Sequence, residues 1–152
     1  MTKPDQIYTT YIKTTPEKLW AAITNPEFAR QYWGGNANIS DWKKGSTWQH
    51  VAKDKNDAVY VVGKVLESTP SKQLVLSWAE PANTADESRV TFNIEPVADM
   101  VRLVVTHGNF KPGSMMADKV AGGWPLVLSS LKSYLETGNA IDIGAVKKCA
   151  AA

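Results

Sequence analysis

Val90-Thr91-Phe92-Asn93-Ile94-Glu95 and Val101-Arg102-Leu103-Val104-Val105-Thr106-His107 decide the fold. In both runs apolar residues alternate with polar or smaller ones, the period of a strand with one buried face. Val97-Ala98-Asp99 between them reads as a turn, so the two form an antiparallel hairpin. Upstream, Leu74, Leu76 and Trp78 alternate in the same way. Glu80 to Glu87 is polar and reads as a loop. Ala58 to Glu67 is a long, mostly apolar strand, and Trp48 to Lys53 a shorter one. The polar Lys53-Asp54-Lys55-Asn56-Asp57 joins them.

Downstream, Met116, Val120, Trp124, Leu128, Leu131 and Leu135 fall three or four apart, the stripe of an amphipathic helix over Met115 to Thr137. Pro125 cannot donate to the carbonyl of Ala121, so a kink or a new start is expected near Gly122-Gly123-Trp124-Pro125. Gly138 closes the helix. Residues 139–152 lack periodicity and read as a flexible tail on a domain of residues 1–138. At the other end, Ile7 to Lys13 is a strand. Thr14/Glu17 has the spacing of a capping box, and Pro16 suits a first helical turn. Asn25-Pro26-Glu27 repeats that grammar before a second short helix, which Gly34-Gly35 ends.

The expected fold is therefore α+β. A curved antiparallel sheet of six or seven strands wraps around a long C-terminal helix, with two short helices after the first strand. Seventeen basic and fifteen acidic residues give a net charge of +2, too balanced for a nucleic-acid binder. No run is long and apolar enough to span a membrane, and the first residues lack the apolar core of a signal peptide, so a cytoplasmic protein is expected. A single cysteine, Cys149, excludes an internal disulfide. Two histidines with no partner motif point to no metal, and no glycine pattern indicates a nucleotide or other cofactor.

The joint pattern resembles a known family. Its carriers are Thr15-Pro16-Glu17-Lys18-Leu19-Trp20 with Ala22-Ile23-Thr24-Asn25-Pro26-Glu27-Phe28, then Trp33, Gly63-Lys64-Val65-Leu66-Glu67 and Leu74-Val75-Leu76-Ser77-Trp78. Val90-Thr91-Phe92, Leu103-Val104-Val105-Thr106-His107, Gly123-Trp124 and Leu128-x-x-Leu131-Lys132-x-Tyr134-Leu135-Glu136 complete it. These are similar to the SRPBCC, or START-like, superfamily with its helix-grip fold. More narrowly they resemble the C-terminal domain of the activator of heat-shock-protein-90 ATPase and its bacterial single-domain relatives. The resemblance implies a pocket between sheet and helix for a small apolar ligand: a lipid, an isoprenoid or an aromatic, polyketide-like molecule. It also implies two alternatives: a chaperone-associated stress-response protein that stimulates a heat-shock-protein ATPase, and a polyketide cyclase or dehydratase. The partners expected are thus a small apolar ligand and a chaperone, for a monomer or homodimer.

Trp20, Trp33, Trp78, Phe92 and Trp124 fall on inward faces. They either fill a core or wall a cavity. With them, Val65, Leu76, Leu103, Val105, Met116, Val120 and Leu128 are the candidate cavity residues, and His107 is a candidate polar anchor. His107 reads equally as an inward strand residue with a hydrogen bond. His50 reads as a solvated or edge position. Arg89, Arg102 and Lys132 are candidates for a charge at the mouth. Ser129-x-x-Lys132 matches an acylase pattern by chance, since no companion motif accompanies it.

Overall fold

The computed structural model describes residues 2–151. In chain order the elements are β1 (Gln6–Ile12), α1 (Pro16–Thr24), α2 (Pro26–Tyr32), β2 (Asn36–Ser40) and β3 (Thr47–Ala52). A single 3-10 turn (Lys53–Lys55) precedes β4 (Ala58–Thr69), β5 (Gln73–Glu80), β6 (Asn83–Val97) and β7 (Met100–Gly108). Three helices follow: α3 (Met116–Ala121), α4 (Gly123–Thr137) and α5 (Ile143–Ala151).

The strands form one antiparallel sheet in the order β1-β7-β6-β5-β4-β3-β2. Strands β2 to β7 meander, and β1 returns to pair with β7, Gln6 opposite His107 and Ile12 opposite Val101. Register shifts at His50/Val51, Val65/Glu67 and Trp78/Glu80 bend the ladder. Extra residues of this kind increase twist, which curls the sheet. Its concave face carries Leu74, Leu76, Trp78, Val90, Phe92, Ile94, Val101, Leu103 and Val105, all buried. Trp124, Val127, Leu128 and Leu131 of α4 bury against the same core. This is the helix-grip architecture read from the alternation.

The short helices are set by their caps. Thr15, not Thr14, is the cap of α1: its Oγ1 accepts the Lys18 N–H at 3.2 Å. The residue before a proline is held extended, which is the geometry of a cap, so Pro16 fixes the choice. Asn25 ends α1 and caps α2 through its Oδ1 and the Glu27 N–H at 2.9 Å.

Three differences from the sequence reading, and one expected break, have local causes. The region Glu80 to Glu87, expected as a loop, is mostly strand: β5 runs to Glu80 and β6 begins at Asn83. Strand β2 gave no apolar run because its inward residue is Asn38, whose Nδ2 donates to the Ile23 carbonyl at 3.1 Å. The expected break is there: the C-terminal stripe is divided at Gly122, so Pro125 lies in the first turn of α4, where no backbone bond is lost. Finally, part of the segment read as a tail is helix α5, with Ile143 buried. The Ile141 N–H donates to Ser130 Oγ at 3.2 Å, and the Ala145 N–H donates to Asp142 Oδ1 at 3.0 Å, so α5 is anchored to α4 and capped.

Candidate functional site

The aromatic residues between sheet and helix touch one another in a continuous cluster. Trp124 reaches Trp78 (ring centroids 5.6 Å), Trp33 (5.9 Å) and Phe92 (6.0 Å), and Trp78 reaches Trp48 (5.4 Å). The middle of the helix–sheet space is thus packed. Beside it lies a cleft of about 570 Å³. Trp33, Trp78, Trp124 and His50 form its deep part, and Val120, Leu126, Val127 and Ile143 its apolar walls. Tyr60 and the exposed lysines 55, 119 and 147 stand at the rim. Gly122, between α3 and α4, and Gly34, against which Ile143 of α5 packs, lie at its borders. A Cβ at Gly34 would lie 3.7 Å from that of Ile143.

Of the sequence-derived candidates, Trp33, Trp78, Val120 and Trp124 line this cleft. Val65, Leu76, Phe92, Leu103, Val105, Met116 and Leu128 lie in the packed core instead, and Trp20 packs half-buried against it. Arg102 pairs with Glu95, and Lys132 with Glu136. Neither they nor Arg89 are at the rim of this cleft.

His107 is fully buried and has both ring nitrogens engaged. The Trp124 indole N–H donates to its Nδ1 at 3.0 Å, which makes Nδ1 the acceptor and leaves the proton on Nε2. That N–H donates to Ser88 Oγ at 2.8 Å, and Ser88 in turn donates to the Trp78 carbonyl at 3.2 Å. The serine proton therefore points away from the imidazole. This pair is directed as a structural relay and not as a nucleophile with its base.

His50 is not the solvated residue the sequence suggested. It is buried and lines the cleft. Its Nδ1 contacts Asn38 Oδ1 at 2.8 Å, and its Nε2 contacts Asn36 Nδ2 at 3.2 Å. The Asn38 amide is oriented by its bond to Ile23, so Nδ1 is the protonated nitrogen and Nε2 accepts. The signal was present: Trp48, Gln49 and His50 alternate, which places His50 on the face of the buried Trp48.

Burial pushes both histidines from 6.5 down to about 4, so both are neutral at pH 7. In the unfolded chain each protonates near 6.5, so stability is full above that pH and falls as the pH drops towards 4. By pH 5 the loss is about 2 kcal/mol per histidine. The urea midpoint should accordingly fall by on the order of 1–2 M between pH 7.5 and 5. A midpoint unchanged over that interval would show that the imidazoles are solvated.

Comparison with known proteins fits this architecture. No curated protein sequence matches the chain. Protein MLL2253 from Mesorhizobium loti superposes with a TM-score of 0.72 at 25% identity, over 86% of this chain and 96% of that one. The Aha1 dimer from Colwellia psychrerythraea gives 0.70 at 22% identity, over 90% and 98%. PFC0360w, an HSP90 activator from Plasmodium falciparum, gives 0.70 at 21% identity, over 88% and 96%. Residues 13–136 match the family model for Activator of Hsp90 ATPase homolog 1-like protein, a range that takes in both short helices, strands β2 to β7 and nearly all of α4, and the chain belongs to that family.

Proposed function

We propose that this protein holds a small apolar molecule, of lipid, isoprenoid or polycyclic aromatic type, in the cleft beside α4. The observation that carries the reading is a space of about 570 Å³ whose deep part presents three tryptophans. Pockets that hold such ligands measure about 300–1,000 Å³ and are mostly apolar. Micromolar binding needs about 8 kcal/mol. At about 25 cal/mol per Å² that is roughly 330 Å² of apolar contact, before ordering costs. A three-ring aromatic or a farnesyl chain has that much surface.

The test is tryptophan fluorescence titrated with farnesol, dodecanol and a flavone. Quenching that saturates at micromolar concentration for at least one of them is expected. No quenching by any would overturn the reading. The family's description and that of the Plasmodium relative favour a second reading, stimulation of a chaperone ATPase. That activity would show as a faster ATP turnover by the chaperone with no probe binding in the cleft. Cyclase chemistry would need a proton-transfer group in the cleft, and His50 is the histidine available there.

A further inference from the structure

We infer that the ligand of this cleft is an anionic amphiphile, a carboxylate on an apolar body; the inference rests on the binding reading above. Lys55 from the 3-10 turn, Lys119 from α3 and Lys147 from α5 converge on one rim. Among the described residues, no carboxylate lines the cleft. In a chain with 17 basic and 15 acidic residues, three lysines among the lining residues and no acid among them is a local bias. It is also assembled from three separate elements and does not follow from a run of lysines.

The lysines are not equivalent. Lys119 is paired with Glu80 at 2.5 Å, both groups partly exposed, so its charge is largely answered within the protein. Lys55 and Lys147 therefore carry the bias. Deeper in the cleft His50 is neutral, and its Nδ1 proton is held by Asn38. Nor is the Trp124 indole N–H available, since it is bound to His107. The Trp78 indole is different. Its N–H, like that of Trp33, has no acceptor among the described residues, and both rings line the cleft. A ligand oxygen can accept from either. The cleft thus offers apolar rings, two indole N–H groups without a partner among the described residues and a cationic rim, and a carboxylate on an apolar body satisfies all three.

Equilibrium dialysis with three matched naphthalene probes tests the inference: 2-naphthoate, neutral 2-naphthamide and cationic 2-naphthylmethylamine. Two rim contacts of the exposed kind give 2-naphthoate an advantage of about 5-fold over 2-naphthamide at low salt, with the amine weakest. Raising the salt closes the gap. In the Lys55→Glu/Lys147→Glu double variant the order reverses, with the amine bound best. Both lysines are exposed, so the double variant retains the fold, which circular dichroism checks. Equal binding of all three probes, or an unchanged order in the double variant, overturns the anionic preference and leaves the apolar site intact. Absence of binding by every probe overturns both.

Discussion

Gly63→Val is expected to leave no cooperatively folded protein. Gly63 lies opposite Trp48 in the β3–β4 ladder, and the Trp48 side chain crosses over it to β5. There the indole N–H donates to the Ser77 carbonyl at 2.8 Å. A Cβ at residue 63 would overlap that carbonyl and would lie 2.5 Å from the indole nitrogen. Backbone cannot yield as a side-chain tip can. Either β4 parts from β5 or Trp48, fully buried and against Trp78, is expelled. Losing the burial of an aromatic ring costs about 3–5 kcal/mol. An orphaned buried carbonyl costs about 1–3 kcal/mol more. Together these approach the 5–15 kcal/mol that holds a typical domain folded. Urea unfolding should show no native baseline for Gly63→Val and a much lowered midpoint for Gly63→Ala. Adding Trp48→Ala to Gly63→Ala removes the indole's share of the overlap but not that of the Ser77 carbonyl, so the double variant should lose somewhat less than the two single changes summed. A Gly63→Ala protein within about 1 kcal/mol of the parent would show that the crossing is loose.

The second large effect is at Trp124. Trp124→Ala removes ring contacts to Trp33, Trp78, Phe92 and His107 and leaves the buried Nδ1 of His107 without a donor. The expected loss is about 4–8 kcal/mol when the ring and hydrogen-bond contributions are combined. Trp124→Phe separates the two. It keeps most of the ring but deletes the N–H, so it should cost only about 1–3 kcal/mol. It should also raise the titration midpoint of His107, because an Nδ1 that no longer accepts from Trp124 is freer to take a proton. Proton NMR of the imidazole reads this directly. Parent-like stability together with a parent-like His107 titration would mean that the indole–imidazole bond does not form in solution.

The two effects fall where the sequence was only partly readable. Alternation at Val90/Phe92/Ile94 and Leu103/Val105/His107 was enough to place the concave face, because each of those residues is buried. Nothing comparable marks Asn83 to Glu87. That end of β6 extends the hairpin into solvent, where neither face needs apolar residues. Strand β2 was hidden for the opposite reason. Its inward Asn38 is polar but satisfied by Ile23 and His50, and a hydropathy pattern does not register a satisfied amide. For the cleft, Trp33, Trp78, Val120 and Trp124 were legible as inward-facing apolar residues. Lys55, Lys119, Ile143 and Lys147 were not, because they come from three separate elements and only the packing of α3 and α5 brings them together. Periodicity reports which face a residue occupies. It does not report which faces meet.

The pairing of β1 with β7 has a consequence for synthesis on the ribosome. The two strands are about a hundred residues apart in the chain, and a ribosome adds roughly 5–20 residues per second, so β1 emerges about 5–20 s before its partner exists. During that interval Ile7, Tyr8, Tyr11 and Ile12 form an unpaired strand with β-branched and aromatic side chains, the composition that pairs most readily with another nascent chain. The helices α1 and α2 follow immediately and carry their own caps, so they can form locally while β1 waits. The cleft is assembled later still, since Ile143 and Lys147 follow every strand of the sheet in the chain. A molecule bound there would reach a chain whose sheet has already closed.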